Sequence, residues 1–169
     1  MYAETCPSTQ RMFEPEHTEG AVAVTEEQTE GRGRLGRGWL SPPYVSVLCS
    51  VLLEPQIEPS RLPELPLVAG EACADAIAVV TGLEPEIKLP NDILLSGKKA
   101  AGILAEARDE RVVLGIGINV NIAENDLPTE VDRPATSLLV ETGREIDRVE
   151  LLVALLDRLE RRYDDWVSR

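Results

Sequence analysis

Between residues 86 and 122 the chain reads EIKLP, DILLS, KAAGILAEARD and VVLGIGINVNI, short apolar runs cut by Pro90-Asn91, Ser96-Gly97 and Asp109-Glu110. That punctuation belongs to a hairpin-rich sheet whose strands are neighbours in sequence and in space. AVAVTEE at 21–27 and VSVLCSVLLEP at 45–55 are β-branched, apolar runs ended by polar residues or proline, and they read as two more strands. A helix is expected from about Leu62 to Val80. There Leu65, Val68, Ala69, Ala72, Cys73, Ala76, Ile77 and Val80 recur at three and four, and Gly82 stops it. Residues 123–134 read as a polar, proline-bearing loop and Thr136 to about Glu141 as a short helix. From Asp147 a last helix carries Val149, Leu152, Leu156, Leu159, Tyr163 and Trp166 as its apolar stripe, too short for a coiled coil. With no internal repeat or linker, residues 1–169 form one α+β domain, a mixed, largely antiparallel β-sheet backed by helices.

Composition narrows what such a domain does. The net charge is −13, which argues against a nucleic-acid binder, since that affinity needs basic groups to displace condensed counterions. Aromatic residues are 4% of the chain, so packing rests on Leu, Val, Ile and Ala. Cys6, Cys49 and Cys73 are odd in number and widely spaced, the pattern of reduced, buried thiols in a cytoplasmic protein and not of a disulfide frame or zinc site. His17 is the only histidine, which argues against a histidine-rich metal site and against a Ser/His/Asp triad. No metal site is expected. Neither a leader nor an apolar run of about 18 residues is seen, so no membrane association is expected.

Against this acidic background, Gly31-Arg32-Gly33-Arg34-Leu35-Gly36-Arg37-Gly38-Trp39 stands out, because residues 1–30 hold seven glutamates and one arginine. A basic, glycine-rich loop between two strands suits an anionic, phosphate-bearing ligand. Gly31, Gly33 and Gly36 formally satisfy G-x-G-x-x-G, yet Ser41-Pro42-Pro43 follows closely and no helix opens there, so a dinucleotide fold is rejected. The Walker A and kinase patterns are missing as well. All the lysines, Lys88, Lys98 and Lys99, fall in KLPNDILLSGKKAAGILAE. Pro90 restrains Leu89 to extended geometry and holds Lys88, Asn91 and Asp92 at a strand end, while Lys99 opens the next strand. Gly115 and Gly117 permit close approach of a ring or chain, and Asn119 can both donate to and accept from a base edge.

Taken in order, Ser8-Thr9, Gln28, GRGRLGRGW at 31–39, KLPND at 88–92, GKKAAGIL at 97–104 and GIGINVN at 115–121 resemble the biotin protein ligases, also called holocarboxylase synthetases. The likeness covers essentially the whole chain, and TSLLVETG with the final helix resembles the end of that catalytic domain. Gln10 and Leu89 stand where the family more often has asparagine and tryptophan, and Leu35 stands where one branch of it has arginine.

The resemblance implies the biotin/lipoate ligase fold and a two-step reaction. Biotin and ATP give biotinyl-5′-AMP, and the biotinyl group then passes to a lysine of a biotin carboxyl carrier protein or domain. By the family pattern Ser8, Thr9 and Gln28 bind the ureido ring of biotin, Gln10 is a further biotin-binding residue, and Arg32, Gly33 and Arg34 bind the carboxylate and phosphates. Lys99 bridges the carboxylate and the α-phosphate. Arg37, Trp39, Lys88 and Asn91 lie on the nucleotide side with Arg32 and Arg34, and Asn119 reads adenine. Lys99, Arg34 and Asp92 form the catalytic set, Asp92 orienting or deprotonating the incoming lysine. Mg2+ is expected with ATP and not in a dedicated cage. No nucleic-acid or membrane partner is expected, and a homodimer is compatible with the pattern. Neither an N-terminal DNA-binding domain nor a C-terminal β-barrel is expected. The alternatives are a lipoate or octanoyl ligase of the same fold and a non-catalytic biotin or biotinyl-adenylate binding module.

Overall fold

The computed structural model describes residues 1–129 and 134–169. Among them seven strands make one sheet: β1 Tyr2–Cys6, β2 Val22–Gln28, β3 Ser46–Leu53, β4 Glu86–Lys88, β5 Asp92–Leu95, β6 Lys98–Arg108 and β7 Arg111–Asn119. Their order is β1-β2-β3-β7-β6-β5-β4. The anticipated hairpins β4 to β7 form a meander, and β7 returns to pair with β3 from Ser46 opposite Asn119 to Leu53 opposite Val112. Ser96 and Gly97 have φ of 50° and 75°, the left-handed pair that a two-residue hairpin demands. Among these seven strands only β1 and β2 pair with each other in parallel, so the sheet is mixed and largely antiparallel. β1 was not legible beforehand: Tyr-Ala-Glu-Thr-Cys shows no apolar run, and only Cys6 is buried.

One face of the sheet packs against α1 (Leu65–Thr81) and α3 (Arg148–Val167). The expected start of α1 at Leu62 is corrected to Leu65, because Pro59 and Pro63 lie in a tighter 3-10 segment, Pro59–Glu64, that leads into it. Gly82, at φ 79°, ends α1 as expected. The short helix α2 is Leu138–Thr142 and not Thr136 to Glu141, because Ser137 is its N-cap and accepts from the Val140 N–H. In the loop expected at 123–134, Glu124–Asp126 forms a 3-10 turn, and residues 130–133 lie outside the described residues.

The stripe on α3 is as expected at Leu159, Tyr163 and Trp166 but needs correction before them. Val149 is 69% exposed, and the buried side is Leu151, Leu155, Leu159, Tyr163 and Trp166. Leu152 and Leu156 pack only at its flank. Leucines occupy two adjacent faces of this helix, so periodicity allows either, and the contact with α1 selects one. The three cysteines are unpaired and buried, as expected. Among the described residues, no helix is long and apolar enough to cross a membrane.

Strand alternation sends Val47, Ile103, Leu114, Ile116 and Ile118 into the helix-side core. The residues between them face the other way. Register aligns Lys88, Asp92, Gly102, Gly117 and Leu48 in one row across β4, β5, β6, β7 and β3 on that second face.

Candidate active site

Glycine makes the second face a floor. A Cβ at Gly117 would stand 2.6 Å from Trp39 Cε2, one at Gly102 2.8 Å from Trp39 Cζ3, and one at Gly115 2.5 Å from Gln10 Nε2. The indole and the Gln10 amide therefore lie directly on the backbones of β6 and β7. Above them is a cavity of ≈ 1020 Å³, large enough for a ligand of several rings.

The arginine loop forms its wall as a small hairpin. Trp39 N–H donates to Gly31 O at 2.9 Å and Gly33 N–H to Arg37 O at 2.8 Å. The exposed tip, Leu35, has φ 58°. Arg32 donates to Glu106 Oε2 on β6 at 3.0 Å, and Arg34 donates to Asn91 Oδ1 at 3.3 Å. Arg32, Arg34 and Arg37 all line the cavity.

Lys99 reaches the same face through an irregularity. Strict alternation would put it on the opposite side from Gly102, but one extra β6 residue passes between the Ile93–Ala101 and Leu94–Lys99 pairs. This bulge inverts the facing, so Lys99 Nζ comes within 3.4 Å of the Cβ position at Gly102. There it meets Asp92 Oδ1 at 2.7 Å and lies 5.6 Å from the Trp39 ring centroid, a cation over an aromatic face.

At the other end Gln28 Oε1 accepts from Thr9 N–H at 2.9 Å and from its hydroxyl at 3.2 Å, and Thr9 Oγ1 is 2.8 Å from Ser50 Oγ. Ser8 and Thr9 are buried beside them. Gln10 donates to Leu104 O at 3.0 Å, and Asn119 donates to Thr136 O at 3.0 Å. Each amide thereby keeps its oxygen unpaired. Among the described residues, Gln10 Oε1, Trp39 Nε1 and Asn119 Oδ1 are the buried side-chain polar atoms without a partner, and all three residues line this cavity. Buried polar groups are normally satisfied, so two acceptors and a donor left open in one cavity mark the place of a polar ligand.

The model of the biotin/lipoate A/B protein ligase family matches residues 2–123. The chain belongs to that family. Bifunctional ligase/repressor BirA of Bacillus subtilis is 41% identical over 155 residues, which are 89% of this chain and 48% of the relative. Biotin--[acetyl-CoA-carboxylase] ligase of Mycobacterium tuberculosis is 41% identical over 152 residues, 88% of this chain and 56% of the relative. The solved structure of biotin protein ligase from Aquifex aeolicus in complex with biotin and ATP matches with a TM-score of 0.91 at 36% identity, covering 100% of this chain and 72% of that one. The chain spans about half the length of the curated relatives it matches.

Every site residue named from the sequence of this family member lines the one cavity: Ser8, Thr9, Gln10, Gln28, Arg32, Gly33, Arg34, Arg37, Trp39, Lys88, Asn91, Asp92, Lys99 and Asn119. Sequence reasoning missed Gly102, although a glycine inside an apolar strand run is itself a sign of close approach. It also missed Ser50, Thr136 and the carbonyl of Leu104, whose roles depend on neighbours distant in the chain. Cys49 lines the cavity too, but burial pushes its thiol up to about 12, so it is no nucleophile at neutral pH.

Proposed function

We propose that this chain joins biotin to ATP as biotinyl-5′-AMP and passes the biotinyl group to a lysine of a biotin carboxyl carrier domain. The observation that carries the reading is the set of open polar atoms, Gln10 Oε1 and Asn119 Oδ1, in a cavity whose wall and floor also hold Lys99 and Arg34. An acceptor at Gln10 suits a ureido N–H, and one at Asn119 suits the amino group of adenine. The relative from Aquifex aeolicus is a complex with biotin and ATP, and that from Mycobacterium tuberculosis is named for acetyl-CoA carboxylase.

In the first step a carboxylate oxygen of biotin attacks the α-phosphorus and pyrophosphate leaves. Two anions must approach each other, so fixed cations lower the barrier, at about 3 kcal/mol for one well-placed donor. Lys99 and Arg34 fill that role, and Lys99 exchanges its Asp92 partner for the ligand. Asp92 is then open to the next step. There the carrier lysine attacks the acyl carbon, AMP leaves, and Asp92 accepts the proton that the ammonium must lose. The loop carrying Arg32, Gly33 and Arg37 shields the mixed anhydride from water. Asp92 is the one carboxylate among the described lining residues, and a single carboxylate makes no cage, so a resident magnesium cage does not fit. A cytoplasmic location belongs to the same proposal, since three unpaired thiols suit a reducing compartment.

Biotin-dependent exchange between ATP and pyrophosphate, followed by transfer to a carrier domain, tests this. Lys99→Ala and Arg34→Gly are expected to lose about a hundredfold or more in exchange. Asp92→Asn is expected to slow transfer from preformed adenylate. Tight biotin binding without exchange would instead identify a binding module, and exchange driven by octanoate or lipoate but not biotin would identify a different acyl ligase.

A further inference from the structure

β7 pairs with β6 only as far as Ala101 opposite Ile118, which leaves Lys99 without a neighbour on that side. Residues 134–136 take the vacant place. Lys99 N–H donates to Pro134 O at 2.9 Å, and Thr136 N–H donates to Lys99 O at 2.9 Å, a parallel bridge at Ala135. Leu94 of β5 lies opposite on the other side, so residues 134 and 136 take both backbone hydrogen-bonding groups of Lys99.

The same segment orients Asn119. Its partner, Thr136 O, only accepts, so the Asn119 NH2 must face it and Oδ1 is left toward the cavity, buried and unpaired. Turning the amide over would set two oxygens against each other at about 3.0 Å. The position of the Thr136 carbonyl therefore decides which atom a base meets. Thr136 is fully buried, and its hydroxyl donates to Glu141 Oε1 at 2.6 Å. The other oxygen, Glu141 Oε2, accepts from Ser96 Oγ at 2.7 Å in the β5–β6 turn, three residues before Lys99. Neither Ser96 nor Glu141 lines the cavity.

We propose that Glu141 is a positioning residue that, by bridging Ser96 and Thr136, fixes the Asn119 amide and so sets the preference for a 6-amino purine over a 6-oxo purine. A 6-amino group donates to Oδ1, whereas a 6-oxo group presents a second acceptor to it. The inference rests on the ligase reading, in which Asn119 meets the base.

The test is biotin-dependent pyrophosphate exchange with ATP and with GTP, read beside biotin affinity and thermal stability. Glu141→Ala is expected to lower the ATP/GTP ratio of kcat/KM about tenfold, mainly through the KM for ATP, with biotin affinity within about twofold of wild type. Glu141→Gln keeps one acceptor and an amide able to donate to a hydroxyl, and is expected to restore most of the ratio. If Glu141→Ala does not fold, Ser96→Ala removes one leg of the bridge at an exposed turn, and its ratio decides. Asn119→Ala separates the two levels. A ratio collapsed by Asn119→Ala but unchanged in both Glu141→Ala and Ser96→Ala overturns the positioning role alone. A ratio unchanged in Asn119→Ala, or a wild type without exchange, overturns the reading beneath it.

Discussion

Alanine at position 117 will push the Trp39 indole off the sheet. The added Cβ would lie 2.6, 2.8 and 2.9 Å from Trp39 Cε2, Cζ2 and Nε1, whereas carbon atoms pack at about 3.5–4.0 Å. The strand cannot yield, because Gly117 is paired with Leu48 on one side and Gly102 on the other. A rigid bicyclic ring has no flexible end to bend away. A buried tryptophan covers roughly 150–250 Å². Trp39 is at most about a third exposed, so at least about 100 Å² is lost, or about 2.5 kcal/mol or more at ~25 cal/mol per Å². Separation from the Lys99 ammonium removes roughly 0.5 kcal/mol more. The sum, about 3 kcal/mol, shifts loop opening and, on the proposed function, adenylate release by on the order of a hundredfold. Global stability moves far less, since the main core lies on the other face of the sheet. The chain has two tryptophans, and Trp166 is 2% exposed and bonded to Glu64, a constant background. Gly117→Ala is therefore expected to red-shift the Trp39 emission, raise its quenching by acrylamide and speed release of biotinyl-5′-AMP. Emission, quenching and release all equal to wild type would refute the reasoning.

Three further outcomes follow from the structure. Burial raises the Cys49 thiol from 9.0 to about 12 and lifts Cys73 further. Below the ordinary value both folded and unfolded thiols are protonated, so nothing is lost. As pH rises through that value only the unfolded thiols ionise, so urea midpoints are expected to fall between 9.0 and about 12, and a flat profile there would contradict this. Asp147 caps α3, accepting from Val149 N–H at 2.8 Å and Glu150 N–H at 3.1 Å, so Asp147→Ala is expected to cost about 1 kcal/mol in urea unfolding. The Arg32–Glu106 pair is partly exposed, with side chains 42% and 24% accessible. A double-mutant cycle with Arg32→Gln and Glu106→Gln on biotin release is expected to give a coupling below about 1 kcal/mol that fades in high salt.

The hairpins from β4 to β7 were legible because their turns are built from adjacent residues, Ser96-Gly97 above all. So were the ends of α1 and α3, at Gly82 and Asp147, where a single residue supplies the stop or the cap. The buried side of α3 was legible only in its second half, at Leu159, Tyr163 and Trp166, because Leu151 and Leu152 both satisfy a helical period and only α1 discriminates between them. β1 was invisible for a related reason. Its place depends on parallel pairing with β2, and its own residues are mostly exposed.

The resemblance to a ligase family, and not local chemistry, named Ser8, Thr9, Gln10, Gln28 and Trp39 as residues of one site. The sequence by itself determined the helices, every strand but β1, and the basic glycine loop in an acidic chain. These follow from local chemistry: turn propensity, charge and small side chains at strand positions. Tertiary structure alone decided how those residues face. The bulge in β6 turns Lys99 toward Asp92 and Gly102, Trp39 settles on two glycines from different strands, and Thr136 sets the direction of the Asn119 amide. Side chains alternate with a period of two along a strand, so one extra residue inverts every side chain beyond it. Where that residue is accommodated depends on the paired strand, and no local pattern records it.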